Sequence, residues 1–127
     1  MARRKVVLLG PMELAAGGTY TQPEREAVDV GDAKTATVFI EIYRNGSSSG
    51  SATLAIQTAT LTPGKPYSTA SAGFVSLGTP FTIGATTVGT QAPLTFTTLG
   101  ELLRVTITPS TLNGLIQISI TVLFTDT

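Results

Sequence analysis

The chain has 127 residues with eight basic and eight acidic side chains, so its formal net charge is zero. It contains no cysteine, histidine or tryptophan. Their absence excludes disulfides, thiolate metal sites and the imidazole that most often serves as a general base. A chain without net charge has no long-range field to draw it to nucleic acid or to an anionic membrane.

The first segment combines a basic run, Arg3–Lys5, with a short apolar run, Val6–Leu9. An export signal needs about 7–15 apolar residues, so we expect no signal peptide and synthesis in the host cytoplasm. No run approaches the ~20 apolar residues of a membrane span. We interpret residues 1–23 as an N-terminal arm or edge strand and residues 24–127 as a β-sandwich domain.

Alternation of apolar and polar residues predicts four strong strands, because successive side chains of a strand point to opposite faces. These strands cover residues 35–43, 51–58, 102–107 and 115–124. Their apolar stripes should meet in one buried core, made of Val38, Ile40, Ile42, Leu54, Ile56, Leu103, Val105, Ile107, Ile116, Ile118 and Ile120. Weaker patterns predict further strands at residues 5–9, 26–30, 73–77, 80–84 and 93–98.

Turn signals lie between these strands. Asn45-Gly46 opens a polar loop that ends at Gly50 and predicts a hairpin, and Thr62–Pro66 is a turn cluster. Pro109–Gly114 separates the last two strong strands. The best helical candidate, Met12–Ala16, is too short to be stable alone. The chain is therefore predicted to be all-β, an antiparallel β-sandwich or jelly roll of about eight strands with an N-terminal arm.

Two pairs of acidic residues could in principle serve in catalysis or in metal binding. Glu24 and Glu26 could form the carboxylate pair of a glycosidase, although flanking Arg25 on a solvated edge explains them better. Asp29 and Asp32 could offer oxygens to a calcium ion. An Asx turn explains this second pair more simply.

A serine nucleophile would need Lys65 as its base, because the chain has no histidine. Lys65 lies in a proline-flanked turn, which is a poor place to bury and activate an amine. We therefore expect no enzymatic activity, no catalytic residue, no metal and no cofactor.

Two sets of residues could bind a ligand. Tyr20, Tyr43 and Tyr67 could form a platform on which sugars stack, but dispersed tyrosines more often pack in a core or at an edge. The basic run Arg3–Lys5 neutralises too few phosphates for tight binding to nucleic acid at physiological salt. It could instead contact an acidic neighbour in an assembly.

Charge becomes scarce beyond the first third of the chain. Between Arg3 and Arg44 lie 12 of the 16 charged residues, and the remaining 83 residues carry only four. Because a soluble monomer usually keeps more surface charge, either the hydroxyl-rich surface is neutral and soluble, or neighbours cover much of it. We predict a homo-oligomer, with a trimer as the first choice. The predicted contact residues are Arg3, Arg4, Lys5, Val6, Val7, Leu8 and Leu9.

In size and pattern, the whole chain resembles the small β-sandwich proteins that decorate or cement the capsids of tailed bacteriophages. The resemblance is carried by the basic start Met1–Lys5, the Gly/Thr-rich middle, the hydroxyl-rich strands and the strong final strand Ile116–Phe124. Such proteins commonly sit as trimers on symmetry axes of the shell and hold it with terminal arms. The resemblance implies a virion protein whose partners are its own copies and the major capsid or another shell protein. The alternative is a carbohydrate-binding or adhesin-type β-sandwich module.

Overall fold

The computed structural model describes residues 3–14, 19–23, 26–60, 73–109 and 113–126. In these ranges the chain forms strands and no α-helix. The strands are β1 (Arg3–Leu14), β2 (Tyr20–Thr21), β3 (Val28–Asp29), β4 (Thr35–Asn45), β5 (Ser51–Ala59), β6 (Val75–Ser76), β7 (Phe81–Gly84), β8 (Gly89–Thr90), β9 (Leu94–Phe96), β10 (Leu102–Pro109) and β11 (Ile116–Thr125). The turn cluster predicted at Thr62–Pro66 lies outside the described residues.

The strands build two antiparallel sheets that pack face to face. The first sheet has the order β1-β11-β4, with β8 and β9 both pairing with the free side of β4. In the second, β10 and β5 form the centre, β2 and β3 pair with β10, and β6 and β7 pair with β5. If each pair of short strands is counted as one interrupted strand, both sheets have four positions. The chain then visits them in the order of a jelly roll, which confirms the predicted all-β sandwich.

The space between the sheets is filled by the residues that the alternation pattern assigned to the core. All eleven of them are at most 2% exposed, so the predicted core is confirmed. Further members of the same cluster come from segments with weaker patterns, namely Leu8, Leu9, Leu14, Val30 and Ile83. The sandwich is therefore closed by residues from nearly the whole described chain.

The loop after Asn45 does not form the hairpin that Asn45-Gly46 predicts. β4 belongs to the first sheet and β5 to the second, so residues 46–50 cross from one sheet to the other. An Asn-Gly pair favours a tight turn, but it does not determine which strands pair after the turn. The hairpin prediction is wrong because the inward stripes of both strands are buried best when the strands face each other across the core.

A second crossing lies beside the first and connects β10 to β11. The two are joined by hydrogen bonds: the Gly46 amide donates to the Leu115 carbonyl at 2.9 Å, and the Gly114 amide donates to Ser47 Oγ at 2.9 Å. A Cβ at Gly114 would collide with the backbone of Gly46. The close approach of the two crossings therefore requires glycine at position 114.

β1 is the edge strand of the first sheet. It pairs with β11 from Arg3 to Leu14, with register shifts between Val7 and Leu9 and between Leu9 and Met12. Leu8, Leu9 and Leu14 enter the core that the rest of the chain forms. Among the described residues, no strand pairs with the other side of β1.

Candidate interaction surface

Arg4, one of the predicted contact residues, is engaged within its own domain. Its Nη2 donates to the carbonyls of Asp29 at 2.7 Å and Val30 at 2.9 Å. The guanidinium also lies 4.8 Å from the centroid of the Phe124 ring, within the range of a cation–π contact. Arg4 thus attaches the start of β1 to the turn after β3.

Gln22 connects the middle of β1 to the second sheet. Its Nε2 donates to the carbonyl of Leu8 at 2.6 Å, and its Oε1 accepts from the amide of Val105 at 3.1 Å. The Gln22 backbone amide donates to the Val105 carbonyl at 3.0 Å. The side chain is buried and bridges the register shift in β1 to β10. No local sequence pattern marks Gln22, because its partners are set by the tertiary fold.

The seven predicted contact residues therefore divide into two groups. Leu8 and Leu9 are buried, Val6 packs against the core, and Arg4 is bonded to its own chain. Arg3, Lys5 and Val7 are exposed. Because side chains alternate along a strand, Arg3, Lys5 and Val7 all lie on the outer face of the first sheet. Of these, Lys5 and Val7 are the two nearer the middle of the strand.

Around these two residues lies a surface that we name the β1–β11–β4 face. Its members come from three adjacent strands and are Lys5, Val7, Phe39, Glu41, Thr121 and Leu123. Val7, Thr121 and Phe39 are aligned across the strands, and Lys5 and Leu123 share the next row that points outward. Val7 is 60% exposed. A shallow groove of about 360 Å³ runs over the face.

The charges on this face lie toward two diagonal corners, one formed by Lys5 with Arg3 one row beyond it, and the other by Glu41. Lys5 lies on β1, whereas Glu41 lies on β4, two strands away and four residues further along than the position opposite Lys5. At about 4.8 Å between strands and 3.4 Å per residue, the two Cα atoms are roughly 17 Å apart. The two side chains are too distant to pair within one chain, and the surface between them is apolar or hydroxylic.

The outer face of the second sheet is different at Arg104, because another part of the chain covers that side chain. Arg104 lies on the outer side of β10 but is only 2% exposed. Its guanidinium stacks on the ring of Phe74 at 3.9 Å, and its Nε donates to Gln57 Oε1 at 2.8 Å. The Thr106 hydroxyl donates to the same Gln57 oxygen at 3.2 Å. Alternation places Arg104 on the outer face correctly, yet it does not reveal this cover.

The acidic residues that could have ligated calcium form a turn instead. The Gly31 amide donates to Asp29 Oδ1 at 2.9 Å, and Gly31 has a φ of 62°. This is the predicted Asx turn, which is confirmed. Among the described ranges, no group of three or more Asp, Glu, His or Cys residues is placed to hold a metal ion. Glu26 is exposed, while Glu24 and Lys65 lie outside the described residues.

The structure does not bring the described tyrosines together. Tyr20 lies on β2 in the second sheet and packs against the core. Burial raises the pKa of its phenol, and the Glu26 carboxylate adds to the rise. Tyr43 lies on β4 in the first sheet and is exposed, with its hydroxyl 2.7 Å from Ser119 Oγ. Because Tyr20 and Tyr43 lie on different sheets, they do not share a platform. Tyr67 is not among the described residues.

Tyr43 does line a groove of its own. This groove has a volume of about 510 Å³ and is completed by Pro11, Met12, Glu13 and Gln117. Gln117 Nε2 donates to Glu13 Oε1 at 2.7 Å. An aromatic ring beside a carboxylate and an amide offers one apolar surface and several hydrogen-bonding groups to a ligand.

The chain matches no protein-family model, no curated protein and no solved structure. The resemblance to capsid decoration proteins therefore depends on the sequence features alone and stays a prediction. In the part of the chain that the structure describes, no helix has the length and hydropathy to cross a membrane.

Proposed function

We propose that the protein is a non-enzymatic structural subunit that binds a viral shell as an oligomer, like the capsid decoration proteins that its sequence resembles. The observation that carries this proposal is the β1–β11–β4 face. Its centre exposes Val7 and partly exposes Phe39 and Leu123. Contiguous apolar surface on a small domain is typical of a site where another protein binds.

The residue types on this face favour protein contact over contact with a charged ligand. Between Lys5 and Glu41 the surface carries only threonine and apolar side chains. A partner could pack against it without removing an unpaired charge from water, which is the costly part of forming an interface. Threonine hydroxyls can donate and accept hydrogen bonds, so they adapt to the polar groups of a partner.

The scaffold is compatible with this function. Double-sheet jelly rolls are found in viral capsid proteins and in lectins. A fold supports an analogy and does not establish an activity, so the exposed face and the scarcity of charge after Arg44 carry more weight. The partners we propose are other copies of this chain, in a trimer, together with the major capsid or another shell protein of the virion.

Binding to shells provides the direct test. Shells assembled from the major capsid gene in the same genome are mixed with the purified protein and sedimented. Wild-type protein should pellet with the shells, and Val7→Asp should lower its occupancy at least tenfold, since a buried carboxylate without a partner is strongly unfavourable. Capsid and terminase genes beside this gene would identify the shell to use.

Val75→Asp is the matched control for that test. Val75 is 61% exposed against 60% for Val7, but it lies on β6 in the second sheet. Each change should lower the free energy of unfolding by no more than about 1 kcal/mol, the span of strand propensities. The proposal fails if wild-type protein does not pellet with the shells, or if the two variants bind them equally well.

A carbohydrate-binding module is the second candidate, favoured by the Tyr43 groove. If a sugar stacks on the ring, a glycan array should show binding that Tyr43→Ala abolishes. Tyr43→Phe should keep it, because that variant loses only the contact with Ser119. Absence of any glycan bound by wild-type protein would reject this candidate.

A further inference from the structure

We propose that the β1–β11–β4 face is the contact between copies of this chain in a closed three-fold ring, where Lys5 of each copy pairs with Glu41 of the next. This inference rests on the proposed function in one respect, because the number of copies comes from it. The location of the contact and its ion pair come from the structure.

The argument begins with the polarity of the face. Its positive corner lies on the β1 side and its negative corner on the β4 side, roughly 17 Å apart by strand geometry. If copies are arranged around an axis with this face turned toward it, the β1 side of one copy meets the β4 side of its neighbour. Rotation about an axis keeps every residue at its own height, so the line from Lys5 to Glu41 must lie perpendicular to the axis. In a ring that closes in this orientation, every Lys5 meets a Glu41, and Arg3 lies one row beyond the pair.

The same arrangement accounts for the apolar centre. Val7, Phe39 and Leu123 lie between the two charged corners, so they would be enclosed near the axis when the corners pair. Thr121, half-buried between Val7 and Phe39, would bring a hydroxyl that can donate and accept. The neighbour would thus cover apolar surface that the chain leaves exposed, as Phe74 covers part of the second sheet.

Lys5 has another plausible role that the test must separate from this one. A lysine on an exposed edge strand also discourages unwanted pairing with other sheets. A glutamate at that position would discourage it as well. Changing Lys5 to Glu therefore retains the protective charge and removes only the proposed pairing with Glu41.

The experiment measures association by sedimentation equilibrium for wild-type protein, Lys5→Glu, Glu41→Lys and the double variant that carries both changes. Each single reversal should weaken association about tenfold or more, since it places like charges together across the contact. The double variant should recover association to within about threefold of wild type, because the pair is restored with its signs exchanged.

Mixing the two single variants tests the order of the ring. In a pair related by a two-fold axis, one copy of each variant satisfies both contacts, so the mixture would associate as well as wild type. A ring of three cannot alternate two kinds of subunit, so at least one contact keeps like charges. The three-fold inference therefore expects only partial recovery in the mixture, and full recovery as a dimer overturns it.

Matched controls exclude a general effect of charge. Lys34→Glu and Asp32→Lys reverse charges on exposed residues that lie outside the face, and they should associate like wild type. Thermal unfolding and circular dichroism should match wild type for all the variants, since every altered side chain is exposed.

Shell binding, measured on the same proteins, separates this inference from the proposed function. Wild-type protein that stays monomeric at millimolar concentration, or single reversals that associate normally, would overturn the inference even if shells are still bound. Conversely, a ring that forms and responds to the reversals but ignores shells would overturn the proposed function and leave the contact standing.

Discussion

The outer faces of the two sheets differ at Arg104 and Val7, because the chain covers Arg104 and leaves Val7 exposed. On the second sheet, Phe74 stacks on Arg104, and the guanidinium is further held by Gln57. On the first sheet, Val7 is exposed and nothing in the described residues covers it as Phe74 covers Arg104. Both faces come from strands with similar alternation. The difference shows that the outward residues of a strand become core-like or remain available according to what the rest of the chain places over them.

The same contrast separates the polar residues of the two faces. The long charged side chain of Arg104 is buried with defined hydrogen-bond partners, whereas Lys5 and Glu41 are exposed at the corners of an apolar patch. A buried arginine stabilises one arrangement of its own domain. Exposed charges of opposite sign at fixed positions can instead select the orientation of a partner.

The largest effect is expected in the core that both faces share. Ile118 lies on the inward side of β11 and is fully buried, so Ile118→Ala should lower the free energy of unfolding by about 2–5 kcal/mol through lost burial and a cavity. Leu123→Ala, on the outward side of the same strand, should cost less than about 1.5 kcal/mol because Leu123 is only partly buried. Urea denaturation measures both losses. Equal losses would show that the outer face of the first sheet is covered at Leu123.

A smaller loss should follow from removing the buried arginine of the covered face. Arg104→Ala takes away hydrogen bonds to Gln57 and Gln22 and the stacking on Phe74. We expect a loss of about 2–3 kcal/mol, as for buried hydrogen bonds that involve a charge. Arg44→Ala, at an exposed position on the first sheet, should change the stability by no more than about 0.5 kcal/mol. If both variants unfold at the same urea concentration, Arg104 does not stabilise the covered face.

The smallest of the three losses is expected at Gln22, which connects the two sheets. Gln22→Ala leaves the Leu8 carbonyl and the Val105 amide without their side-chain partners, at a cost of about 1–2 kcal/mol. Hydrogen exchange should also quicken in β1 near Leu8 more than in β4, because Gln22 bridges β1 to β10. Gln117→Ala, which truncates a half-buried glutamine on β11, is the control, and uniform acceleration in both variants would contradict a local role for Gln22.

Much of the fold could be predicted because period-2 alternation is a local property. Strands 35–43, 51–58, 102–107 and 115–124 correspond closely to β4, β5, β10 and β11, and their inward stripes form the core. Four of the five weaker patterns correspond to short strands, whereas residues 5–9 lie within the twelve-residue β1. Residues 26–30, for example, contain only β3, because other segments of the chain share the edge of β10.

Other features left no local pattern to recognise. Two-residue strands such as β2 and β8 are too short to show a period. The Asn45-Gly46 pair predicted a hairpin where the chain crosses between sheets, since a turn signal does not specify the pairing partner. Gln22 and Arg104 depend on groups far away along the chain, so their burial could not be anticipated.

The sequence by itself determined the strand-forming segments, the residues that face inward and the Asx turn at Asp29, because each depends on neighbours within a few positions. Only the tertiary structure decided which strands share a sheet, which outer face is covered, and where Lys5 and Glu41 lie on the other. Those features depend on register between strands that are distant in the chain. A shift of one residue in the pairing of β1 with β11 would turn Lys5 and Val7 to the opposite face.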